Sequence, residues 1–252
     1  MDFRLSDKIC LVTGASTGIG RATAIILAAE GARIVATARS MDRLTKLAEL
    51  IREAGGHDPV VLTADFAQAD ATHRLAEAVL TQVERVDVLV NNAGGSRPLQ
   101  RPDDDAAWDE AYLLNFLTAR RLTDALAPAM IQRGWGRIVN VSGATVAKSL
   151  NAATPAKAAL ESWSKSIAAV YAAHGITVNC VAPGRINSPQ ILDRLHPTEL
   201  ERGEYIARNI PAGRFGEPQE AAALIAFLAS EAASYITGAM IPVDGGALRL
   251  AF

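Results

Sequence analysis

The feature that most constrains the fold is a glycine-rich turn, residues 13–20, between an apolar run and an alanine-rich run. The apolar run, residues 8–12, is typical of a buried parallel strand, and residues 21–31 have a helical pattern that ends at a glycine. Glycine permits a tight turn and a close approach of a ligand to the main chain, and a helix N-terminus offers free N–H groups. The stretch therefore predicts a turn that binds a phosphate group. The alternative is a strand-to-helix turn that binds nothing.

Strand and helix patterns alternate along the whole chain, which predicts a doubly wound parallel sheet with helices on both faces. The 252 residues, half of them hydrophobic, are enough for one such domain over residues 1–252. We therefore expect a single-domain α/β Rossmann fold with about seven strands. The strand patterns occupy residues 8–12, 33–38, 60–64, 86–90, 137–142, 176–181 and 238–246.

Composition excludes several classes of function. The net charge of −2 argues against nucleic acid and anionic membranes as partners, and the uncharged apolar runs are too short for a membrane span. The start of the sequence has no signal-peptide pattern. Cys10 and Cys180 lie in apolar strand patterns and are predicted to be buried, reduced thiols of a cytoplasmic protein. The four histidines have no metal-ligand spacing, so we expect no metal site.

The glycine spacing Gly-x-x-x-Gly-x-Gly, followed by Asn-Asn-Ala-Gly at residues 91–94, resembles the short-chain dehydrogenase/reductase family. The resemblance extends over nearly the whole chain. It implies a nicotinamide dinucleotide cofactor and transfer of hydride to or from a carbonyl or alcohol carbon of a small molecule. The positions that the resemblance assigns to cofactor binding are Gly14, Ser16, Thr17, Gly18, Ile19, Gly20, Arg39, Ser40, Asp65, Phe66, Asn91, Ala93, Gly94, Lys157, Pro183, Gly184, Ile186 and Ser188.

The end of the second strand favours NADP over NAD. An acidic residue at this place binds the ribose 2′-hydroxyl of NAD, whereas an arginine accommodates a 2′-phosphate. Here Ala38 takes the acidic position and is followed by Arg39 and Ser40, although Thr17 stands where many NADP-preferring relatives have a second basic residue. The alternative is that Arg39 is a solvated charge at a strand end. The resemblance also assigns the adenine contact to Asp65, which is otherwise a turn residue.

Three further assignments follow from the resemblance. It makes Asn91 a structural hydrogen-bonding residue, and it implies that Asn115 holds a water chain leading to the active-site lysine. The segment Pro183 to Ser188 is similar to a Pro-Gly-x-Ile-x-Thr pattern that holds the nicotinamide carboxamide, with Ser188 in the place of the threonine.

The same resemblance exposes a missing tyrosine. Relatives use a serine after the fifth strand together with Tyr-x-x-x-Lys, and Lys157 matches the lysine, but Ala153 stands at the tyrosine. A Ser-Ser pair whose second member is catalytic is replaced by Ser142-Gly143, and Leu150 stands where enoyl-reductase relatives place their tyrosine. Thr154-Pro155 predicts an N-cap and first helical residue, with residue 153 outside the helix.

Several groups are candidates for the missing proton donor. They are Ser142, Thr154, Lys157, a water held by Lys157 and Asn115, and His196 or Tyr205 from a lid over residues 189–214. We predict Lys157, Ser142 and Asn115 as catalytic residues of an oxidoreductase with a non-standard donor. The alternatives are a catalytically silent NADP(H)-binding sensor or partner subunit, and a non-redox reaction on the same fold. Retention of Lys157, Asn115 and Ser188 favours the oxidoreductase.

Two apolar segments lie near the carboxyl end. Within the lid, Ile191, Leu192, Leu195 and Ile206 either line a substrate pocket or pack a short helix. The apolar tail, residues 247–252, would be costly to expose on a monomer. We therefore expect a homotetramer, with a dimer as the second choice.

Overall fold

A parallel sheet of seven strands forms the centre of the molecule over the residues that this computed structural model describes, which are 3–68, 70–143 and 149–248. The strand order is β3-β2-β1-β4-β5-β6-β7, so the order reverses between β1 and β4 and opens a crevice at their carboxyl ends. The prediction of a doubly wound Rossmann fold is confirmed. The strands are β1 (Ile9–Thr13), β2 (Arg33–Ala38), β3 (Val60–Thr63), β4 (Val88–Asn91), β5 (Gly136–Val141), β6 (Ile176–Pro183) and β7 (Met240–Val243).

Helices cover both faces of this sheet. Alternate residues of each strand point to opposite faces. Val12 and Val90 join one core cluster with Leu27, while Leu11 joins a second cluster with Leu122 on the other face. The α-helices are α1 (Gly18–Ala29), α2 (Met41–Glu53), α3 (Ala71–Gln82), α4 (Asp105–Tyr112), α5 (Thr118–Arg133), α6 (Ala153–Tyr171), α7 (Glu199–Asn209) and α8 (Pro218–Leu228).

A π-helical turn, Leu113–Leu117, separates α4 from α5. The sequence predicted one continuous helix here. The π-turn inserts an extra residue per turn and so rotates the following helix relative to the preceding one. Asn115 lies in this turn and is buried.

The start of α6 differs from the prediction. The helix begins at Ala153, and Thr154 is inside it instead of capping it. The reason is Asn151, whose side-chain Oδ1 accepts a hydrogen bond from the Ala153 N–H at 3.0 Å and whose carbonyl accepts one from the Thr154 N–H at 3.2 Å. Because Asn151 satisfies these first N–H groups, no later cap is needed.

The lid folds as a π-helix, Gln190–Leu195, followed by α7. Ile191, Leu195 and Ile206 pack with Phe215 in a small cluster of their own, so ordinary packing accounts for them. Leu192 is half-buried and lies outside that cluster. Of the apolar tail, residues 249–252 lie outside the described residues.

Both cysteines are buried and unpaired, as predicted, and burial raises the pKa of the Cys180 thiol to about 12. Within the described ranges, no helix is both long and apolar enough to cross a lipid bilayer. The same residues bring together no group of three or more His, Cys, Asp or Glu side chains that would hold a metal ion.

Candidate active site

The glycine turn between β1 and α1 is packed too tightly for side chains. Gly14 and Gly18 have φ values of +66° and +55°, which other residues rarely adopt. A Cβ atom on Gly20 would lie 2.4 Å from the Gly14 carbonyl oxygen. Ser16 lies in the turn, and Ile19 packs against the core from the first turn of α1. The turn therefore presents main chain, not side chains, to the crevice.

The first turn of α1 is left open to a ligand. Thr17 precedes the helix in an extended conformation, and its side chain makes no capping hydrogen bond. The first turn of α1 contains no acidic residue. Free N–H groups and the positive end of the helix dipole together form a site for an anion such as a pyrophosphate.

Two residues that sequence reasoning missed hold the turn to β4. The Asn92 side-chain Nδ2 donates to the carbonyls of Thr13 and Gly14 at 2.9 and 3.2 Å. The Thr13 hydroxyl accepts hydrogen bonds from the Asn92 and Ala93 N–H groups, both at 2.9 Å. The signal for this contact was the second asparagine of the Asn-Asn pair, which directly follows a buried strand.

The adenosine end of the crevice lies at the carboxyl ends of β2 and β3. Arg39 is exposed there, and Ser40 caps α2 by accepting a hydrogen bond from the Arg43 N–H at 3.4 Å. That bond uses only the oxygen, so the Ser40 hydroxyl hydrogen is free to donate to a phosphate. A cavity of about 620 Å³ opens beside Arg39 and is also lined by Asp65.

Asp65 and Phe66 occupy the turn after β3. The Asp65 carboxylate is exposed and accepts a hydrogen bond from the Ala67 N–H at 3.2 Å, which is the turn contact foreseen as the alternative to adenine binding. The Phe66 ring is buried in the core beneath α3, so only its main chain faces the crevice edge.

Asn91 is part of a buried network inside the sheet edge. Its Nδ2 donates to Asn140 Oδ1 at 2.8 Å and lies 3.4 Å from the Thr123 hydroxyl. Asn91 Oδ1 has no hydrogen-bond partner among the described residues. These bonds give Asn91 the structural role that the resemblance implied.

The loops after β1 and β6 meet across the crevice. Pro183 ends β6, and the Gly184 N–H donates to the Val243 carbonyl at 3.0 Å. Ile186 is buried, and Ser188 comes within 3.3 Å of the position that a Cβ atom on Gly18 would take. Ser188 therefore lies beside Gly18 of the glycine turn.

Gly94 lies close to the predicted catalytic side chains of Asn115 and Lys157, in the part of the crevice that we call the reaction end. A Cβ atom on Gly94 would lie 3.0 Å from Asn115 Oδ1 and 3.8 Å from Lys157 Nζ. Asn115 is fixed on both sides, since its Oδ1 accepts from the Gly95 N–H and its Nδ2 donates to the Ala111 carbonyl, each at 2.9 Å. The main chain of the Asn-Asn-Ala-Gly loop thus lies beside both predicted side chains.

Lys157 is half-buried, and protein atoms surround its amino group. Nζ donates to the Ser142 carbonyl and lies 3.5 Å from the Val141 carbonyl. Burial lowers the pKa of Lys157 to about 8, and the charge of Glu161 and then Cys180 oppose that fall. An amine with this pKa exchanges its proton close to neutral pH.

Comparison with known proteins identifies the fold family. Residues 14–247 match the family model described as enoyl-(acyl carrier protein) reductase. The chain is 37% identical over 255 residues to the 3-oxoacyl-(acyl-carrier-protein) reductase FabG of Thermotoga maritima, an alignment that covers 96% of this chain and 98% of that protein.

Solved structures point to the same family as the sequence comparisons. A short-chain type dehydrogenase/reductase from Mycobacterium marinum is 30% identical with a TM-score of 0.89, over 99% of this chain and 98% of the other. L-sorbose reductase from Gluconobacter frateurii, solved as a complex with NADPH and L-sorbose, is 33% identical with a TM-score of 0.93, over 99% and 100%. The chain belongs to the short-chain dehydrogenase/reductase family. It is an NAD(P)-dependent oxidoreductase of that family.

In this member of the short-chain dehydrogenase/reductase family, the Ser142 hydroxyl is bonded to Glu161 of α6. The hydroxyl donates to Glu161 Oε1 at 2.6 Å, lies 3.3 Å from the Val181 carbonyl, and is buried. A role for Ser142 as a catalytic hydrogen-bond donor to substrate, as predicted from the sequence, does not fit this geometry, because the hydroxyl proton is engaged with Glu161. Gly143 lies next to the Lys157 side chain. A Cβ atom on Gly143 would lie 3.3 Å from Lys157 Cδ.

Ala153 is the residue that the sequence resemblance set against the family's tyrosine. It is the first residue of α6 and precedes Lys157 by four residues, so both lie on one face of the helix. Ala153 is 3% exposed. A methyl group has no proton to exchange, whereas the Lys157 amine on the same face is titratable.

The lid donors considered from the sequence are engaged with one another. His196 and Tyr205 lie with ring centroids 4.6 Å apart, and both contact Phe215. Arg185 Nε donates to His196 Nε2 at 3.1 Å. Burial and the Arg185 charge lower the pKa of His196, so its imidazole is neutral at pH 7. Neither side chain is presented as an acid to the crevice.

A polar rim that sequence reasoning missed borders the reaction end. The Arg97 N–H donates to Asn151 Oδ1 at 3.1 Å, and the Arg97 carbonyl accepts from the Ala152 N–H at 3.0 Å. A Cβ atom on Gly95 would lie 3.5 Å from both Arg97 Nη1 and Gln190 Nε2. The rim joins the loop after β4, the start of α6 and the lid.

Proposed function

We propose that this protein transfers hydride between NADP(H) and a carbonyl or alcohol carbon of a small molecule, and that Lys157 handles the accompanying proton in place of a tyrosine. One observation carries the proposal. Lys157 lies beside Asn115 at the reaction end, whereas Ala153 has no proton to give and the Ser142 hydroxyl is engaged with Glu161.

The described residues fit the cofactor. The Gly14–Gly20 turn and the open first turn of α1 suit a pyrophosphate, and Arg39 with the free Ser40 hydroxyl suits a 2′-phosphate. NADPH supplies the hydride when it is bound. The presence of NADPH in the related L-sorbose reductase supports the same preference, with NAD as the second choice.

The protonation state of Lys157 suits both directions of reaction. A positioned general acid works best when its pKa is near the working pH, and it contributes about 10²–10⁴-fold to the rate. With a pKa of about 8, Lys157 is an ammonium below pH 8 and can protonate the oxygen of a reduced carbonyl. We expect ketone reduction to decline as pH rises through about 8, and alcohol oxidation, which needs the free amine, to increase over the same range.

Assembly and location are part of the proposal. Tyr235 is fully exposed and Met240 on the edge strand β7 is 42% exposed, which supports burial of this surface in a homotetramer, with a dimer as the second choice. Free, buried Cys10 and Cys180 suit a reducing cytoplasm. A monomer in gel filtration at low micromolar concentration would contradict the assembly.

The test of the proposed function measures NADPH binding and turnover separately. NADPH fluorescence gives affinity, and a panel of ketones, quinones and enones is followed by loss of NADPH absorbance. We expect Lys157→Met to lose at least about 10²-fold in turnover, since the proton donor is removed. Lys165→Met is the matched control, because Lys165 is exposed on the same helix.

Two results would overturn this proposal. Full activity in Lys157→Met would remove Lys157 as the proton donor. Tight NADPH binding without turnover of any panel compound by the wild-type protein would instead favour a silent NADP(H)-binding sensor or partner subunit.

A further inference from the structure

We propose that Glu161 is a positioning residue whose carboxylate, held by the Ser142 hydroxyl, keeps Lys157 in its ammonium form as the proton donor. This inference rests on the proposed function of Lys157. It assigns a role to a buried polar pair that the family's serine, tyrosine and lysine do not include.

The geometry puts Ser142 between the two charged groups. Glu161 follows Lys157 by four residues in α6, so the two side chains share one face of the helix. The Ser142 carbonyl accepts a hydrogen bond from Lys157 Nζ, and the Ser142 hydroxyl donates to Glu161 Oε1 at 2.6 Å. Ser142 is 1% exposed, whereas Lys157 and Glu161 are half-buried, so both bonds are partly shielded from water.

The groups around Lys157 make the charge of Glu161 the main influence that raises the pKa of Lys157. Groups that face the amine from other elements include the Val141 and Ser142 carbonyls at the end of β5, Asn115 in the π-turn and Cys180 in β6. Ser142 and Asn115 are neutral, and the Cys180 thiol is protonated at pH 7 because burial raises its pKa to about 12. Among the described residues, Glu161 therefore supplies the negative charge that acts on Lys157 at neutral pH.

The hydrogen bond from Ser142 favours the ionised form of Glu161. Burial raises the pKa of the Glu161 carboxyl above its ordinary value, and the hydrogen bond from Ser142 and the charge of Lys157 oppose that rise. A hydroxyl that donates to a carboxylate stabilises its charged form. The serine hydroxyl thus acts on the counter-ion of the lysine instead of on the substrate.

This arrangement matters because the lysine itself changes charge. During carbonyl reduction, hydride adds to the carbon and the Lys157 ammonium gives one proton to the oxygen, which leaves an alcohol and a neutral amine. The amine then regains its proton from solvent. A neighbouring carboxylate favours that recovery, since an opposite charge stabilises the ammonium.

The experiment titrates Lys157 directly and needs no turnover. The chain has five lysines, so ¹³Cε-lysine NMR gives few signals, and Lys157→Arg identifies the one that belongs to Lys157. We expect the Lys157 midpoint, near 8 in the wild-type protein, to fall by about one unit in Glu161→Gln. Glu161→Asp keeps the charge and should retain most of the wild-type midpoint.

The matched control is Glu49→Gln, which removes the same charge from an exposed position on α2 and should leave the Lys157 midpoint unchanged. The pH at which ketone reduction declines should fall in parallel with the NMR midpoint in Glu161→Gln. An unchanged Lys157 midpoint in a folded Glu161→Gln variant overturns the inference. Full turnover in Lys157→Met would overturn the proposed function instead, so the two failures are distinguishable.

Discussion

At the glycine turn, Gly14 and Gly20 leave no room for side chains, so main chain lines the predicted phosphate site. At the reaction end, Ala153 and Gly143 carry no hydroxyl group, and the surface depends on a few side chains such as Lys157 and Asn115. The difference has a physical basis. A backbone cradle is specified by its packing and tolerates little change, whereas a catalytic side chain can be lost while the fold around it persists.

The largest effect should come from filling the backbone cradle. Gly20→Ala places a methyl group 2.4 Å from the Gly14 carbonyl oxygen and from Asn92 Nδ2, so the turn has to open. We expect NADPH affinity, measured by fluorescence titration, to fall by about 100-fold, because binding depends on close approach to this main chain.

Gly203→Ala is the control for the same chemical change. Gly203 lies in α7, and a Cβ atom there meets no heavy atom within 4 Å. NADPH affinity should stay at the wild-type value. Unchanged NADPH affinity in a folded Gly20→Ala variant would show that the turn is not the phosphate site.

The next effect tests the cofactor preference. Arg39→Ala removes the charged partner of a 2′-phosphate, and a hydrogen bond to a charged group contributes about 1.5–3 kcal/mol, or roughly 10- to 100-fold in affinity. NADPH should bind weaker by that factor while NADH affinity is unchanged. Arg33→Ala, at the exposed opposite end of β2, is the control. Equal losses for both cofactors would argue that Arg39 does not read the 2′-phosphate.

The smallest expected effect tests the role of the Ser142 hydroxyl at the reaction end. Removing a donor that stabilises the reacting oxygen typically costs about 10²–10³-fold in turnover. Because the Ser142 hydroxyl is bonded to Glu161, we expect Ser142→Ala to lower turnover at pH 7 by less than tenfold. A steady-state rate reduced by the larger factor would return Ser142 to the role of carbonyl-polarising residue.

The strands and the glycine turn were predictable because their signals are local. Apolar runs such as residues 8–12 define buried strands by composition alone, and the glycines at 14, 18 and 20 report backbone shape directly. The burial of Asn115 agrees with its apolar leucine and phenylalanine neighbours in the sequence. Its π-turn was not predictable, since a single inserted residue leaves no clear trace in a helical pattern.

The start of α6 and the orientation of Ser142 were not predictable because they depend on distant partners. Asn151 caps the helix while also bonding Arg97, which lies 54 residues earlier. Ser142 meets Glu161 only once β5 and α6 pack together. The one sequence clue to Glu161 was its spacing of four residues from Lys157.

Gly143 has a φ of +144°, and a Cβ atom there would lie 3.3 Å from the Lys157 side chain. A serine introduced at this position would meet both a backbone conformation that L-residues rarely adopt and a crowded neighbour. Installing a serine hydroxyl beside Lys157 at position 143 therefore costs backbone strain as well as crowding, so a designed second proton donor is better placed at another position.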